Sequence, residues 1–291
     1  MMALLQDRIL PKFQSVESLI SGKKVIAAYS GGADSTLVLL LCLKYAESVI
    51  PVFFTGAMFS ESDLVAARRL CSALDIQLQL IDFNPLGDPD FTSNPIGRCY
   101  FCKKMIMRSL MEIKEESNYD TVVEGTNSSE IDEHRPGLRA LTEFNVLSPL
   151  LECDFTKKNV RESLRFIAEH TIELFSQVSN SKELADSIEF ILHRPSNACL
   201  CSRIDYGLKI TPELLDRIQK AESFIIDEYG MRALRVRVHR NDLIRIEVPP
   251  DKIGILTREN NRQSIVTKLK SLGFKYITVD LQGFRSGSMN E

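Results

Sequence analysis

The run Val25-Ile26-Ala27-Ala28-Tyr29, followed at once by Ser30-Gly31-Gly32-Ala33-Asp34-Ser35, constrains this chain more than any other stretch. An unbroken apolar run of this length reads as a strand buried on both faces, and Thr36-Leu37-Val38-Leu39-Leu40-Leu41-Cys42-Leu43 reads as a buried helix. Between them lies a tight turn with two glycines. A strand, such a turn and a helix N-terminus together form an anion site, because free backbone N–H groups converge there and the helix dipole adds about half a positive charge. Gly31 and Gly32 let the backbone approach an anion closely, and the hydroxyls of Ser30 and Ser35 add donors. Neither G-x-x-x-x-G-K-[ST] nor G-x-G-x-x-G is present at the turn, which excludes the Walker loop and the dinucleotide fingerprint.

Further along, strand and helix patterns alternate. Strands are expected at 24–29, 49–54, 76–81 and 121–124, helices at 35–47, 60–74 and 101–117, with an amphipathic helix at 4–19 in front. That alternation predicts an α/β fold, a doubly wound parallel sheet with ligands beyond the carboxyl ends of its strands. Glu124-Gly125-Thr126-Asn127 lies at one such end and the glycine turn at another. One long helical stretch is expected at 157–193. From about residue 206 the character changes. Thr211-Pro212-Glu213 starts a helix, with threonine at the cap and proline in the first turn. Leu234 to His239 and Leu243 to Val248 alternate with period two and read as half-exposed strands. A helix near 259–272 and a strand at 276–281 follow. The expected domains are 1–205, carrying the nucleotide turn, and 206–291, a smaller α+β unit.

The chain has 291 residues, 44% of them hydrophobic and 26% charged, which suits a globular protein with a full core. A net charge of −3 provides no global basic field for nucleic acid. The N-terminus lacks a leader pattern, and no apolar run reaches the roughly eighteen residues of a membrane span, so a cytoplasmic location without membrane partners is expected. Seven cysteines, an odd number, argue against a disulfide framework and for thiol or metal chemistry.

Cys99-Tyr100-Phe101-Cys102 is a C-x-x-C just ahead of an expected helix, and Cys199-Leu200-Cys201 comes much later. Thiols beside Arg98, Lys103 and Lys104 near a helix start should ionise easily, which suits metal ligation. Spacing alone leaves three readings open. Cys99, Cys102, Cys199 and Cys201 form a zinc set only with an unusual C-x-C half, the pair also fits a dithiol switch, and buried cysteines are common. Cys42, Cys71 and Cys153 read as structural.

S-G-G-A-D-S between strand and helix resembles the pyrophosphate loop of enzymes that split ATP into AMP and pyrophosphate. Further motifs follow in order: Arg98-Cys99-Tyr100-Phe101-Cys102-Lys103, Glu124 to Asn127, Asp132-Glu133-His134-Arg135-Pro136-Gly137-Leu138-Arg139-Ala140, and Ser148-Pro149-Leu150. Cys199-Leu200-Cys201-Ser202-Arg203-Ile204-Asp205-Tyr206-Gly207, Arg235 to His239, Ile246 to Pro249 and Arg285-Ser286-Gly287-Ser288-Met289-Asn290 complete the series. Across nearly the whole chain it resembles the LarE family of ATP-dependent sulfur transferases, within the PP-loop ATP pyrophosphatases, whose fold is Rossmann-like. That family makes the thiocarboxylates of the nickel-pincer nucleotide from pyridinium-3,5-biscarboxylic acid mononucleotide.

The resemblance implies ATP and Mg²⁺ at Ser30, Gly31, Gly32, Asp34, Ser35, Gly125, Thr126 and Asn127, with Asp34 reaching the magnesium. It implies the three-cysteine type of the family, in which Cys99, Cys102 and Cys199 hold a [4Fe–4S] cluster with one iron open to sulfide; in the other type a single cysteine at the place of Cys199 is sacrificed to dehydroalanine. Cys201 departs from the pattern, since many members have a small residue there. An extra segment near 165–190, including Leu174 to Val178 and Lys182 to Asp186, is a second departure. Arg203, Arg235 and Arg237 are the candidates for the substrate's phosphate and carboxylates, arginine offering a bidentate fork, and Asp132, Arg135 and Arg139 are candidates to position the substrate or hold their loop. For Arg235 and Arg237 the plain alternative is a solvated strand face, and His134 and His239 read as structural or solvated. A homo-oligomer is implied as well. The rivals are a [4Fe–4S]-dependent tRNA thiolase, disfavoured by a sequence pI near 5.9, an amidotransferase-fed synthetase, for which no glutaminase segment is evident, and a metal-binding scaffold without turnover.

Overall fold

A computed structural model describes residues 2–130, 137–175, 180–194, 198–231, 233–285 and 288–289, with the backbone alone for 2–6. Two compact units emerge. One comprises Met1–Gly56, Glu61–Phe83 and Cys99–Arg194, and the other Ala57–Ser60, Asn84–Arg98 and Pro195–Glu291.

The first unit carries the parallel sheet. Its elements run α1 (Met2–Ile20), β1 (Lys24–Ala28), α2 (Ala33–Tyr45), β2 (Ser48–Thr55), α3 (Glu61–Ala73), β3 (Gln79–Asp82), α4 (Arg98–Glu116) and β4 (Thr121–Val123). Strand order is β3-β2-β1-β4, and each neighbouring pair is parallel. α1 buries Ile9, Phe13, Val16 and Ile20, a stripe at helical spacing. Every residue of α2 from Ser35 to Cys42 is buried, as its unbroken apolar sequence requires.

The single long helix expected over 157–193 is instead interrupted. α5 (Lys157–Glu169) starts on a capping box of Thr156 and Asn159 and ends where His170 leaves helical geometry, at φ −121° and ψ 28°. A short turn, Thr171–Leu174, follows, and α6 (Ser181–Leu192) then restarts with the Asn180 side chain accepting from the Glu183 amide at 3.1 Å. Asn180 was the visible signal for that restart. α6 buries Leu184, Ile188, Ile191 and Leu192 and packs on α3 and α5, so Phe166, Ile167, Phe175, Leu184 and Ile188 of the extra segment near 165–190 belong to the core.

The second unit contains α7 (Pro212–Tyr229), β5 (Arg235–His239), β6 (Leu243–Glu247), α8 (Glu259–Ser271) and β7 (Tyr276–Val279). Thr211 caps α7 by accepting from the Leu214 amide at 3.2 Å, and Gly230 closes it at φ +64°. β5 and β6 are antiparallel, while β6 and β7 are parallel. The expectation of half-exposed strands fails for β5, where Arg235 to Val238 are all buried. Alternation located its charged face correctly, but that face is covered, with Arg237 paired to Glu247 and Arg235 over the Phe284 ring. Among the described residues no helix is long and apolar enough to cross a membrane.

Ile188 is fully buried in the core of the first unit. Ile188→Ala should therefore cost about 3 kcal/mol, read as a lowered urea midpoint; an unchanged midpoint would show that α6 is peripheral.

Candidate functional site

Strands β2 and β3 lie to one side of β1 and β4 to the other, so the strand order reverses between β1 and β4. In an open α/β sheet the ligand crevice forms at such a point, beyond the carboxyl ends of the strands. Ser30 to Ser35 leave β1 there, and Glu124 to Asn127 leave β4 beside them.

Glycine is obligatory at two places. Gly31 has φ +72°, and a Cβ on it would lie 2.4 Å from the carbonyl oxygen of Asp63. A Cβ on Gly125 would lie 2.8 Å from the Ser35 amide nitrogen and 3.0 Å from the Asp34 carbonyl carbon. The β4 loop thus rests directly on the first turn of α2. Asn127, fully buried, donates from Nδ2 to Asp34 Oδ1 at 2.9 Å and accepts from the Ser129 amide at 3.1 Å. Ser35 Oγ donates to the Gly32 carbonyl at 3.1 Å, accepts from the Ser30 amide at 3.2 Å and lies 3.0 Å from Ser30 Oγ. Ser30, Gly31, Gly32, Asp34, Ser35, Gly125 and Asn127 therefore meet at one end of the sheet.

Thr126 serves the loop itself. Its amide donates to Glu124 Oε1 at 2.9 Å and its hydroxyl to Oε2 at 2.8 Å. Ser148 Oγ donates to Oε1 at 2.6 Å, and Lys103 Nζ to Oε2 at 2.9 Å. Glu124 is 5% exposed. Its burial alone would raise the carboxyl pKa, but the Lys103 ammonium and the hydroxyl donors more than offset that and hold it below the ordinary value. Glu124 and Ser148 were not singled out from sequence, although both stand within motifs that were, and Lys103, read there as a neighbour of the C-x-x-C thiols, pairs instead with Glu124.

Lys103 follows Cys102 within the first two turns of α4. Cys99 is exposed and Cys102 half-buried, three residues apart on the same face. Arg139 is brought to this turn. Its guanidinium lies 5.0 Å from the centre of the Tyr100 ring and pairs with Glu143, whose carboxylate also accepts from the Tyr100 hydroxyl at 2.8 Å. Asp132 and Arg135, with His134, lie outside the described residues.

Cys199, Arg203, Arg235 and Arg237 belong to the second unit. Cys199 precedes a short 3₁₀ turn, Leu200–Arg203. A hydrogen bond from Cys201, with Arg98 and Arg203 nearby, outweighs burial and pulls its thiol well below the usual value. Cys201 itself is fully buried. Arg203 is ion-paired with Glu222 at 3.0 Å and donates to the carbonyls of Ala198 and Cys199 at 2.6 and 3.1 Å. Arg237 is ion-paired with Glu247 at 3.0 Å and donates to the Ser202 carbonyl. Arg235 lies over the Phe284 ring, and burial followed by repulsion from Arg203 depresses its pKa to about 10. The solvated-face alternative for Arg235 and Arg237 is thereby excluded. Glu222 and Glu247, the carboxylates that made burial possible, were not anticipated. His239 faces Asp205 at 3.4 Å. Among the described residues no three His, Cys, Asp or Glu side chains gather as a metal site.

Residues 10–130 match the NAD synthase family profile. The chain is 31% identical over 278 residues to the pyridinium-3,5-bisthiocarboxylic acid mononucleotide synthase of Lactiplantibacillus plantarum, covering 95% of this chain and 92% of that protein. It is 33% identical to an uncharacterised protein of Methanocaldococcus jannaschii, over 94% of this chain and 95% of the other. A third relative, from Synechocystis, is 30% identical over 92% of each chain. The chain belongs to the LarE family. As a LarE protein it is an ATP-using enzyme, and the loop at the end of β1 is a PP-loop.

In this LarE chain the Lys103–Glu124 pair gives a defined acid response. Because the folded-state pKa of Glu124 is lowered, its contribution to stability is complete above the ordinary value of 4.5 and is lost as pH falls through the folded value. Lys103→Met removes the ammonium, raises the folded value and leaves a buried carboxylate short of a partner, at a cost of about 3 kcal/mol. Acid unfolding followed by circular dichroism should then occur at higher pH than in the unaltered protein. A midpoint that stays put would show that the pair carries no such energy.

Proposed function

We propose that the enzyme adenylates a carboxylate of pyridinium-3,5-biscarboxylic acid mononucleotide and replaces the adenylate with sulfur, giving the thiocarboxylate used for the nickel-pincer nucleotide. The observation that carries this reading is the meeting of the PP-loop with Gly125 and Asn127, which forms a phosphate cradle whose carboxylate, Asp34, is held by a buried amide. The relative from L. plantarum, similar over most of both chains, supplies the substrate class.

Carboxylate oxygen is a poor leaving group, so activation comes first. A substrate carboxylate oxygen attacks the α-phosphorus of ATP, the Pα–O–Pβ bond breaks, and pyrophosphate leaves with the electron pair. The N–H groups of the PP-loop and the hydroxyls of Ser30 and Ser35 stabilise that leaving charge, and Asp34 would hold a Mg²⁺ ion whose charge would add to theirs. Gly125, Thr126 and Asn127 border the nucleotide. A sulfur nucleophile then forms the C–S bond as the C–O bond to AMP breaks. Substrate phosphate and carboxylates fall to Arg203, Arg235 and Arg237, while Asp132, Arg135 and Arg139 position the substrate or hold their loop. In the second unit Arg203 pairs with Glu222, Arg237 and Arg245 both pair with Glu247, and Arg235 is destabilised by burial and then by its like neighbour Arg203, an arrangement that favours a bound anion.

The donors suit a [4Fe–4S] cluster held by Cys99, Cys102 and Cys199: two thiols one helical turn apart, and a third whose thiolate is stabilised by Cys201, Arg98 and Arg203. Such a cluster, ligated by three thiolates, would supply a place for sulfide. A cytoplasmic homo-oligomer is part of the same reading.

Asp34→Asn should abolish pyrophosphate release while leaving the fold intact, measured with a coupled pyrophosphate assay and a melting curve; undiminished release would remove Asp34 from the mechanism. Anaerobic reconstitution should load about four irons per chain and Cys199→Ser should prevent it. Stoichiometric zinc, or dehydroalanine at position 199 after turnover, would overturn the cluster.

A further inference from the structure

We infer that Arg194 is a positioning residue for the PP-loop: its guanidinium holds the peptide between Gly31 and Gly32 so that the Gly32 N–H faces the nucleotide. Arg194 stands just beyond α6, the end of the extra segment to which the sequence assigned no task. Its Nη1 donates to the Gly31 carbonyl at 3.3 Å and its Nη2 to Ser62 Oγ at 3.1 Å, and it forms an ion pair with Asp63. Its side chain is 14% exposed and lies 5.8 Å from the Phe190 ring of α6. One planar fork thus ties together the loop, the first turn of α3 and the end of α6.

The consequence follows from peptide geometry. No cis bond occurs among the described residues, so the C=O of Gly31 and the N–H of Gly32 point in opposite directions. Drawing the carbonyl toward Arg194 turns the N–H to the other side of the loop. Gly31, at φ +72°, is a residue that could otherwise flip freely, and the Asp63 carbonyl below it leaves no room for a side chain that would restrict it. Arg194 supplies from outside the restraint that glycine lacks. Its Nη1 goes to Gly31 and its Nη2 to Ser62 and Asp63, so the fork is turned to the loop backbone and to α3. Helix α6 holds it there through Leu184, Ile188, Ile191 and Leu192, all buried.

The inference rests on ATP binding at the PP-loop and is tested by calorimetric titration of the full-length protein with Mg-ATP and, separately, with AMP. R194M should bind ATP about tenfold more weakly and AMP unchanged, since AMP lacks the pyrophosphate that the loop receives. R194K, which keeps the charge but not the fork, should show a smaller loss of the same selectivity. Melting curves identify folded variants, and if R194M does not fold R194K alone is read. Unchanged ATP affinity in a folded variant, or equal weakening of ATP and AMP, would overturn the positioning role. Failure of the unaltered protein to bind ATP would overturn the PP-loop reading and this inference with it.

Discussion

The approach of the β4 loop to the first turn of α2 is the contact on which the site depends. It is set by strand register. Ala27 pairs with Val123, so the two strands leave the sheet at the same level, and the residues after them emerge side by side. β4 is fixed from its other side, where Glu124 N–H donates to the Leu147 carbonyl at 3.1 Å and Leu147 N–H to the Val122 carbonyl at 3.0 Å. A slip of one residue would reverse every side chain of β4 and carry Gly125 away from the Ser35 amide. Only a residue without Cβ fits that gap, and Asn127 can reach Asp34 only because the gap closes. Backbone proximity, not side-chain chemistry alone, makes the phosphate cradle.

Both units bury charge, and they do so differently. In the first, a single carboxylate, Glu124, is saturated by donors from Thr126, Ser148 and Lys103. In the second, arginines outnumber their carboxylates. Glu247 is fully buried and receives Arg237, Arg245 at 3.2 Å and the Ser288 hydroxyl at 2.5 Å, while Arg245 also reaches Asp280. Burying such groups stabilises little by itself, because desolvation offsets most of the attraction. Breaking one partner from the set is costly, however, so the network holds its members in one geometry. A set of fixed guanidiniums buried and crowded enough to depress the pKa of Arg235 is a poor stabilising device, and under the proposed function it would receive an anionic group of the substrate.

Much of this was legible in the residues. The buried strand, the glycine turn and the buried helix announce themselves through hydrophobic pattern and backbone freedom, and the parallel sheet follows from their alternation. The Thr211-Pro212 helix start is local chemistry and is equally plain. Period-two alternation separated the two faces of β5 but could not say that the charged face is covered, because Glu222 comes from α7 and Glu247 from the neighbouring strand. Likewise the break at His170 depends on how α5 and α6 pack, and only Asn180 hints at it. The two units also interleave, with Ala57–Ser60 and Asn84–Arg98 joining residues beyond 195. No composition shift marks those short excursions. Arg194 was out of reach for the same reason: its partners Gly31 and Asp63 are more than a hundred residues away.

Lys103 shows how closely such distant choices are bound together. A carboxylate offers about four acceptor sites. On Glu124, Oε1 takes the Thr126 amide and the Ser148 hydroxyl, and Oε2 takes the Thr126 hydroxyl. One site is left, and a single N–H from a flexible ammonium fills it at 2.9 Å. An arginine there would bring a rigid fork to a carboxylate with room for one more donor, leaving further N–H groups to be satisfied in a buried place. The lysine is thus the cation that fits, and it is the residue that follows Cys102. Through Glu124 and Thr126 the turn that carries both early cysteines is hydrogen-bonded to the loop whose next residue, Asn127, holds Asp34. A shift of the first turn of α4 would therefore strain the nucleotide cradle directly, which ties the sulfur-bearing end of that helix to the phosphate end of the sheet by charge and not by packing alone.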